Sequence, residues 1–170
     1  MQAVPSVSQK MEIKIHKLGI IAGDGDIPKK IIDECIRLNI DFVYMPIDGH
    51  EKKLSKKYEP DFIVNLSKIG RAIKFAKSKN VKEIIMVGGI KRPSFKKMLP
   101  DIWTAKFLAK LGSKISGDNS ILASLAKELE NEGFQVLSPE YILPNLLCPK
   151  GILGKNHTNE NNKNDINIGF

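Results

Sequence analysis

Residues 19–28, GIIAGDGDIP, run from a short apolar strand straight into a loop that sets Gly23 and Gly25 around Asp24 and then opens a helix. Glycines let the backbone approach an anion closely, and the helix that follows offers unpaired N–H groups and the positive end of its dipole. Pro28 stands where the third glycine of G-x-G-x-x-G would be, so the loop is not the dinucleotide fingerprint. Two readings follow. The loop holds a nucleotide or sugar nucleotide, or it is a strand-to-helix turn that needs glycine for its own geometry.

Outward from this loop the chain alternates regularly. Leu18 to Ala22 predicts a strand, and Ile27, Ile31, Cys35 and Leu38 fall on one face of a helix that Asp26 can cap and Pro28 can begin. Phe42 to Met45 reads as a second strand, Pro46 to Pro60 as a polar surface loop, and Phe62 to Asn65 as a third strand. Ile69, Ala72, Ile73 and Ala76 then repeat at helical spacing. Glu83 to Val87 carries IIMV, a continuous apolar run that suits a parallel strand buried on both faces. Trp103, Phe107, Leu108 and Leu111 line a helix. Ile121, Leu122, Leu125 and Leu129 line a longer one ended by Gly133, and Gln135 to Leu137 is the fifth strand. Such alternation predicts an α/β fold, a Rossmann-like parallel sheet with helices on both faces.

A chain of 170 residues with 42% hydrophobic residues can bury a core, so residues 17–150 are read as one domain. Residues 1–16 read as a flexible extension and 151–170 as a polar, Asn-rich disordered tail. The formal charge of +8, mostly from lysine, gives a general attraction to polyanions. No nucleic-acid module accompanies it, and Trp103 has no aromatic partners for base stacking, so no specific nucleic acid is expected. Cys35 and Cys148 are far apart and form neither a zinc nor a redox motif. No signal-peptide core and no run near the ~20 apolar residues of a spanning helix is present, so a cytoplasmic chain with at most peripheral membrane contact is expected.

Ligands of open parallel sheets bind beyond the carboxyl ends of the strands. Three segments there carry the candidate binding residues: Gly23, Asp24 and Gly25; Gly88 and Gly89 with Lys91 and Arg92; and Asp118 with Asn119. Gly23, Gly25, Gly88 and Gly89 would present backbone N–H groups, and the planar fork of Arg92 suits a pyrophosphate. Asp118 or Asn119 would contact a sugar or base, or simply cap the helix that follows. His16, His50 and His157 lie in different segments without ligand spacing, and none is assigned to a metal. No nucleophile elbow and no carboxylate pair is evident, so no catalytic residue is assigned.

Taken in order, GIIAGDGDIP, MVGGIKRP at Met86 to Pro93, GDNSIL at Gly117 to Leu122, EGF at Glu132 to Phe134 and LLCPKG at Leu146 to Gly151 resemble the N-terminal part of the LpxI-type UDP-2,3-diacylglucosamine pyrophosphatases. The resemblance runs from about Leu18 to Gly154. It implies a Rossmann-like domain joined to a second domain, with the lipid-linked sugar nucleotide between them. It also implies magnesium-dependent hydrolysis to UMP and 2,3-diacylglucosamine 1-phosphate in lipid A biosynthesis, at the inner membrane surface. The family usually has alanine before the glycine where this chain has Gly88 and Gly89, and a second acid where it has Asn119. Asp165, Ile166 and Gly169 resemble the start of the second domain, in which the family's catalytic aspartate lies; it maps onto no residue here.

Hydrolysis of a pyrophosphate needs the phosphates positioned, their charge offset and a water activated in line. The residues above serve the first two. The expectation is therefore the substrate-binding half of such an enzyme, inactive alone, whose partner is a separately encoded C-terminal half. A non-catalytic nucleotide-sugar-binding module, a decayed-gene fragment and a charge-driven polyanion binder are the alternatives.

Overall fold

Leu18, Ile20 and Ala22 alternate with Gly19 and Ile21 along strand β1 (Leu18–Ala22), and the two sets enter different cores. That period of two makes β1 the centre of the structure. The computed structural model describes residues 15–50, 58–90, 99–112 and 118–146. Most of the expected N-terminal extension and the whole polar tail lie outside the described residues.

β1 pairs in parallel with β2 (Phe42–Pro46) on one side and with β3 (Glu83–Val87) on the other, and β3 pairs in parallel with β4 (Gln135–Leu137). The sheet order is β2-β1-β3-β4. The chain steps outward from β1 to β2 and then returns to the far side of β1, which makes the β1/β3 seam the topological switch point.

Helix α1 (Ile27–Arg37) covers one face, where Ile31, Ile32 and Cys35 pack with Leu18, Ile20, Tyr44, Ile85 and Val87. The opposite face holds α2 (Ile69–Ser78) and the end of α4 (Asp118–Asn131), through Ala72, Ile73, Ala76 and Leu129 against Val43, Met45 and Ile84. Trp103 of α3 (Ile102–Leu111) joins that second core. Helices therefore cover both faces, as expected for a Rossmann-like α/β fold. Gly19 is required here by packing, since a Cβ would lie 2.9 Å from Val81 Cγ1.

The expected third strand does not form. Val64 alone bridges Ile47, and Asn65 Oδ1 accepts from Ser67 N at 2.9 Å, turning the chain toward α2. Asp61 closes the sheet edge instead: its carboxylate accepts from Tyr44 N and its own N–H donates to Tyr44 O. Leu38 and Leu122 also depart from their expected places. Leu38 is the C-cap of α1 rather than part of its buried face, and Leu122 is exposed near the start of α4.

At the amino end of the strands Ile15 packs on the first core, and buried Glu83 accepts from the backbone N–H groups of His16 and Lys17. An open concavity of about 860 Å³ lies there, lined by His16, Lys17, Lys79, Lys82 and Glu83 among others. It is remote from every loop at the carboxyl ends of the strands.

Candidate functional site at the carboxyl ends of the strands

The loops that leave β1 and β3 are joined backbone to backbone. Asp24 N donates to Gly89 O and Gly89 N donates to Asp24 O, both at 2.7 Å, and Gly23 N donates to Val87 O at 2.8 Å. The seam explains two glycines. A Cβ on Gly23 would lie 2.3 Å from Gly89 O, and one on Gly88, whose φ is +91°, would lie 2.7 Å from Asp24 O. Glycine is needed at both places so that two stretches of main chain can touch.

This corrects part of the expected donor set. The N–H groups of Gly23 and Gly89 are committed to the seam and do not face a ligand. Donors without a partner among the described residues include Gly88 and, next along the first loop, Gly25, Asp26, Ile27 and Lys29, at the N-terminus of α1. Gly25, at φ +110° with nothing within 4 Å of a would-be Cβ, turns the chain into that helix in open space. Asp26 occupies the N-cap position but makes no side-chain cap, again unlike the expectation. Its helical φ of −93° and ψ of −17° do not aim the carboxylate at the first turn as an extended cap residue does, and Pro28 has no N–H to offer. The positive end of an 11-residue helix is left uncapped beside the switch point.

The loop after β2 brings in a residue that sequence spacing did not single out. Ile47 N donates to Ala22 O, the turn through Gly49 closes with His50 N on Ile47 O, and the His50 ring is carried back to Asp24. His50 Nδ1 lies 2.9 Å from Asp24 Oδ2, with the imidazole 9% exposed and the carboxylate 40% exposed. The approach is at ion-pair distance but lies outside hydrogen-bonding geometry. Asp48 Oδ2 accepts from Asn65 Nδ2 at 3.4 Å on the same edge. After β4, Glu140 accepts from the Ser138 hydroxyl, a bond that holds its carboxyl below the usual range. These contacts join residues of different loops or lie within a turn, where no linear motif marks them.

Of the expected site residues, Gly23, Asp24, Gly88 and Gly89 meet at the seam, and Gly25 lies just beyond it. Lys91 and Arg92 lie outside the described residues. Asp118 and Asn119 open α4, and only their backbone is described. Among the described residues no three acids, histidines or cysteines gather to hold a metal ion. Asp24 is engaged by His50 and Asp48 by Asn65, so this donor set does not fit a magnesium site.

The arrangement leaves the start of α1 without a side-chain cap, with the Asp24 carboxylate beside it. The family model for the LpxI N-terminal domain matches residues 17–146. The UDP-2,3-diacylglucosamine pyrophosphatase LpxI of Caulobacter vibrioides is 27% identical over 142 residues, covering 83% of this chain and 50% of that protein. The chain thus spans about half the length of the curated relative it matches.

Proposed function

The chain belongs to the LpxI N-terminal domain family, and we propose that it binds UDP-2,3-diacylglucosamine as the substrate-binding part of a UDP-2,3-diacylglucosamine pyrophosphatase. The observation that carries this reading is the uncapped start of α1 at the switch point, with the N–H groups of Gly25, Asp26, Ile27 and Lys29 unpartnered. Those donors would hold the pyrophosphate, with Arg92 adding charge and Asp118 or Asn119 reaching the sugar or base. Leu99, Ile102 and Leu122, exposed around the starts of α3 and α4, are apolar groups suited to acyl chains.

Positioning and charge offset are the parts of the chemistry these residues supply. Activation of the attacking water, with magnesium, belongs in this reading to groups outside the described residues, contributed by a second domain or a separately encoded half. No described helix is long and apolar enough to cross a membrane. A place in the cytoplasm, peripheral to the inner membrane where a lipid-linked substrate resides, completes the proposal.

The test is UMP release from UDP-2,3-diacylglucosamine in mixed micelles, with binding measured in parallel. The chain by itself should bind without releasing UMP, and release should appear when the C-terminal half of an LpxI protein is added. Absence of binding at millimolar ligand contradicts the substrate-binding role. Release by the chain alone contradicts the division of labour.

A further inference from the structure

The carboxyl edge that should take a pyrophosphate carries a carboxylate in its central loop. Asp24 lies between Gly23 and Gly25, directly before the unpartnered donors, and 40% of its side chain faces solvent. A bare anion there would repel phosphate oxygens. Its backbone cannot swing away, because both its N–H and its C=O are bonded to Gly89 at 2.7 Å.

Among the described residues, the structure places an imidazole against it. His50 is 9% exposed, far more buried than the carboxylate it meets, and its Nδ1 stands 2.9 Å from Asp24 Oδ2. A proton carried on Nδ1 would point at the carboxylate rather than at the solvent. The ring is fixed from behind by the turn in which His50 N donates to Ile47 O, while Ile47 N donates to the last carbonyl of β1. The loop is therefore bonded to Gly89 through the backbone and met by His50 at ion-pair distance through the side chain.

Resting on the nucleotide-site reading above, we propose that His50 is a positioning residue that holds Asp24 and offsets its charge, so that the donors from Gly25 to Lys29 can receive the phosphates of a nucleoside diphosphate. His50 acts through Asp24 and touches no reacting atom. Without it the carboxylate is free to turn toward the helix start, where it would cap the donors itself and repel the ligand.

Calorimetry with UDP on the full chain tests this, using His50→Ala, Asp24→Asn and the double variant. His50→Ala should weaken UDP binding about tenfold, the size expected for one partly solvated like charge close to a phosphate. Asp24→Asn should bind at least as tightly as the wild type. In the double variant Asp24→Asn should reverse the loss, which a merely structural role of the ring would not permit. His50→Ala binding UDP like the wild type overturns the inference. So does a double variant as weak as His50→Ala, or weaker binding by Asp24→Asn alone, a variant that keeps the test open should His50→Ala not fold. Those results leave the nucleotide site standing, whereas a wild-type chain that does not bind UDP overturns both.

Discussion

Asp24 and Gly89 exchange both of their main-chain hydrogen bonds, each 2.7 Å long, and so fasten the loop after β1 to the loop after β3. Everything proposed for the site depends on that fastening. It holds the start of α1 at the switch point and determines which N–H groups remain for a ligand.

Gly88→Ala should be far more damaging than Gly25→Ala. It adds a methyl 2.7 Å from Asp24 O at a residue whose φ is +91°, so a clash with backbone adds to the roughly 1–2 kcal/mol of left-handed strain. Gly25→Ala has the strain without the clash, because nothing lies within 4 Å of the added carbon. Urea unfolding should show a loss for Gly88→Ala clearly larger than that for Gly25→Ala. Equal losses would mean that the seam does not form.

Two apolar truncations separate core from surface. Ile85 is fully buried in the first core, and Ile85→Ala should cost about 2–5 kcal/mol. Leu99 is 86% exposed, so Leu99→Ala should stay within about 0.5 kcal/mol of wild type. The midpoints of chemical denaturation give both values.

Glu132 joins three elements. It accepts from Lys77 Nζ of α2 and Trp103 Nε1 of α3 just beyond the end of α4, and these bonds hold its carboxyl below the ordinary value of 4.5. A lowered carboxyl pKa means the stabilisation is whole above about 4.5 and fades as pH falls through the lowered value. Glu132→Gln should cost about 1 kcal/mol at neutral pH, a figure kept small because the side chain is 30% exposed. Its melting temperature should also fall less steeply than that of the wild type below pH 4.5.

Cys35 is buried on α1, and burial pushes its thiol up to about 11. A thiol so shielded reacts slowly. Peptide mapping after iodoacetamide at pH 8 should find Cys35 unmodified in the folded chain and modified in urea. Rapid labelling without denaturant would contradict the placement of α1.

The sheet was legible because its strands carry their burial in their residues. IIMV at β3 is apolar throughout, and the helices that follow repeat at three and four residues. The failed third strand shows the limit: Phe62 to Asn65 is apolar enough, but Asn65 bonds to Ser67 and the chain turns, a contact that hydrophobic pattern does not encode. At the site, the glycines were visible and their partners were not. Gly23 and Gly88 looked like places for a phosphate, whereas the close approach they permit is to each other's loops. His50 was invisible for a simpler reason, since it meets Asp24 only after β2 has been laid beside β1.

The central claim is that the start of α1 receives the nucleotide. The direct measurement is a titration of backbone amide NMR shifts in the isotopically labelled chain with UDP-2,3-diacylglucosamine in micelles, against micelles alone. The amides of Gly25, Asp26, Ile27 and Lys29 should move in step and saturate, while Asn80 and Lys82 at the amino end of the strands stay still. Shifts confined to the end lined by Lys79, Lys82 and Glu83, with the α1 amides unmoved, would contradict it.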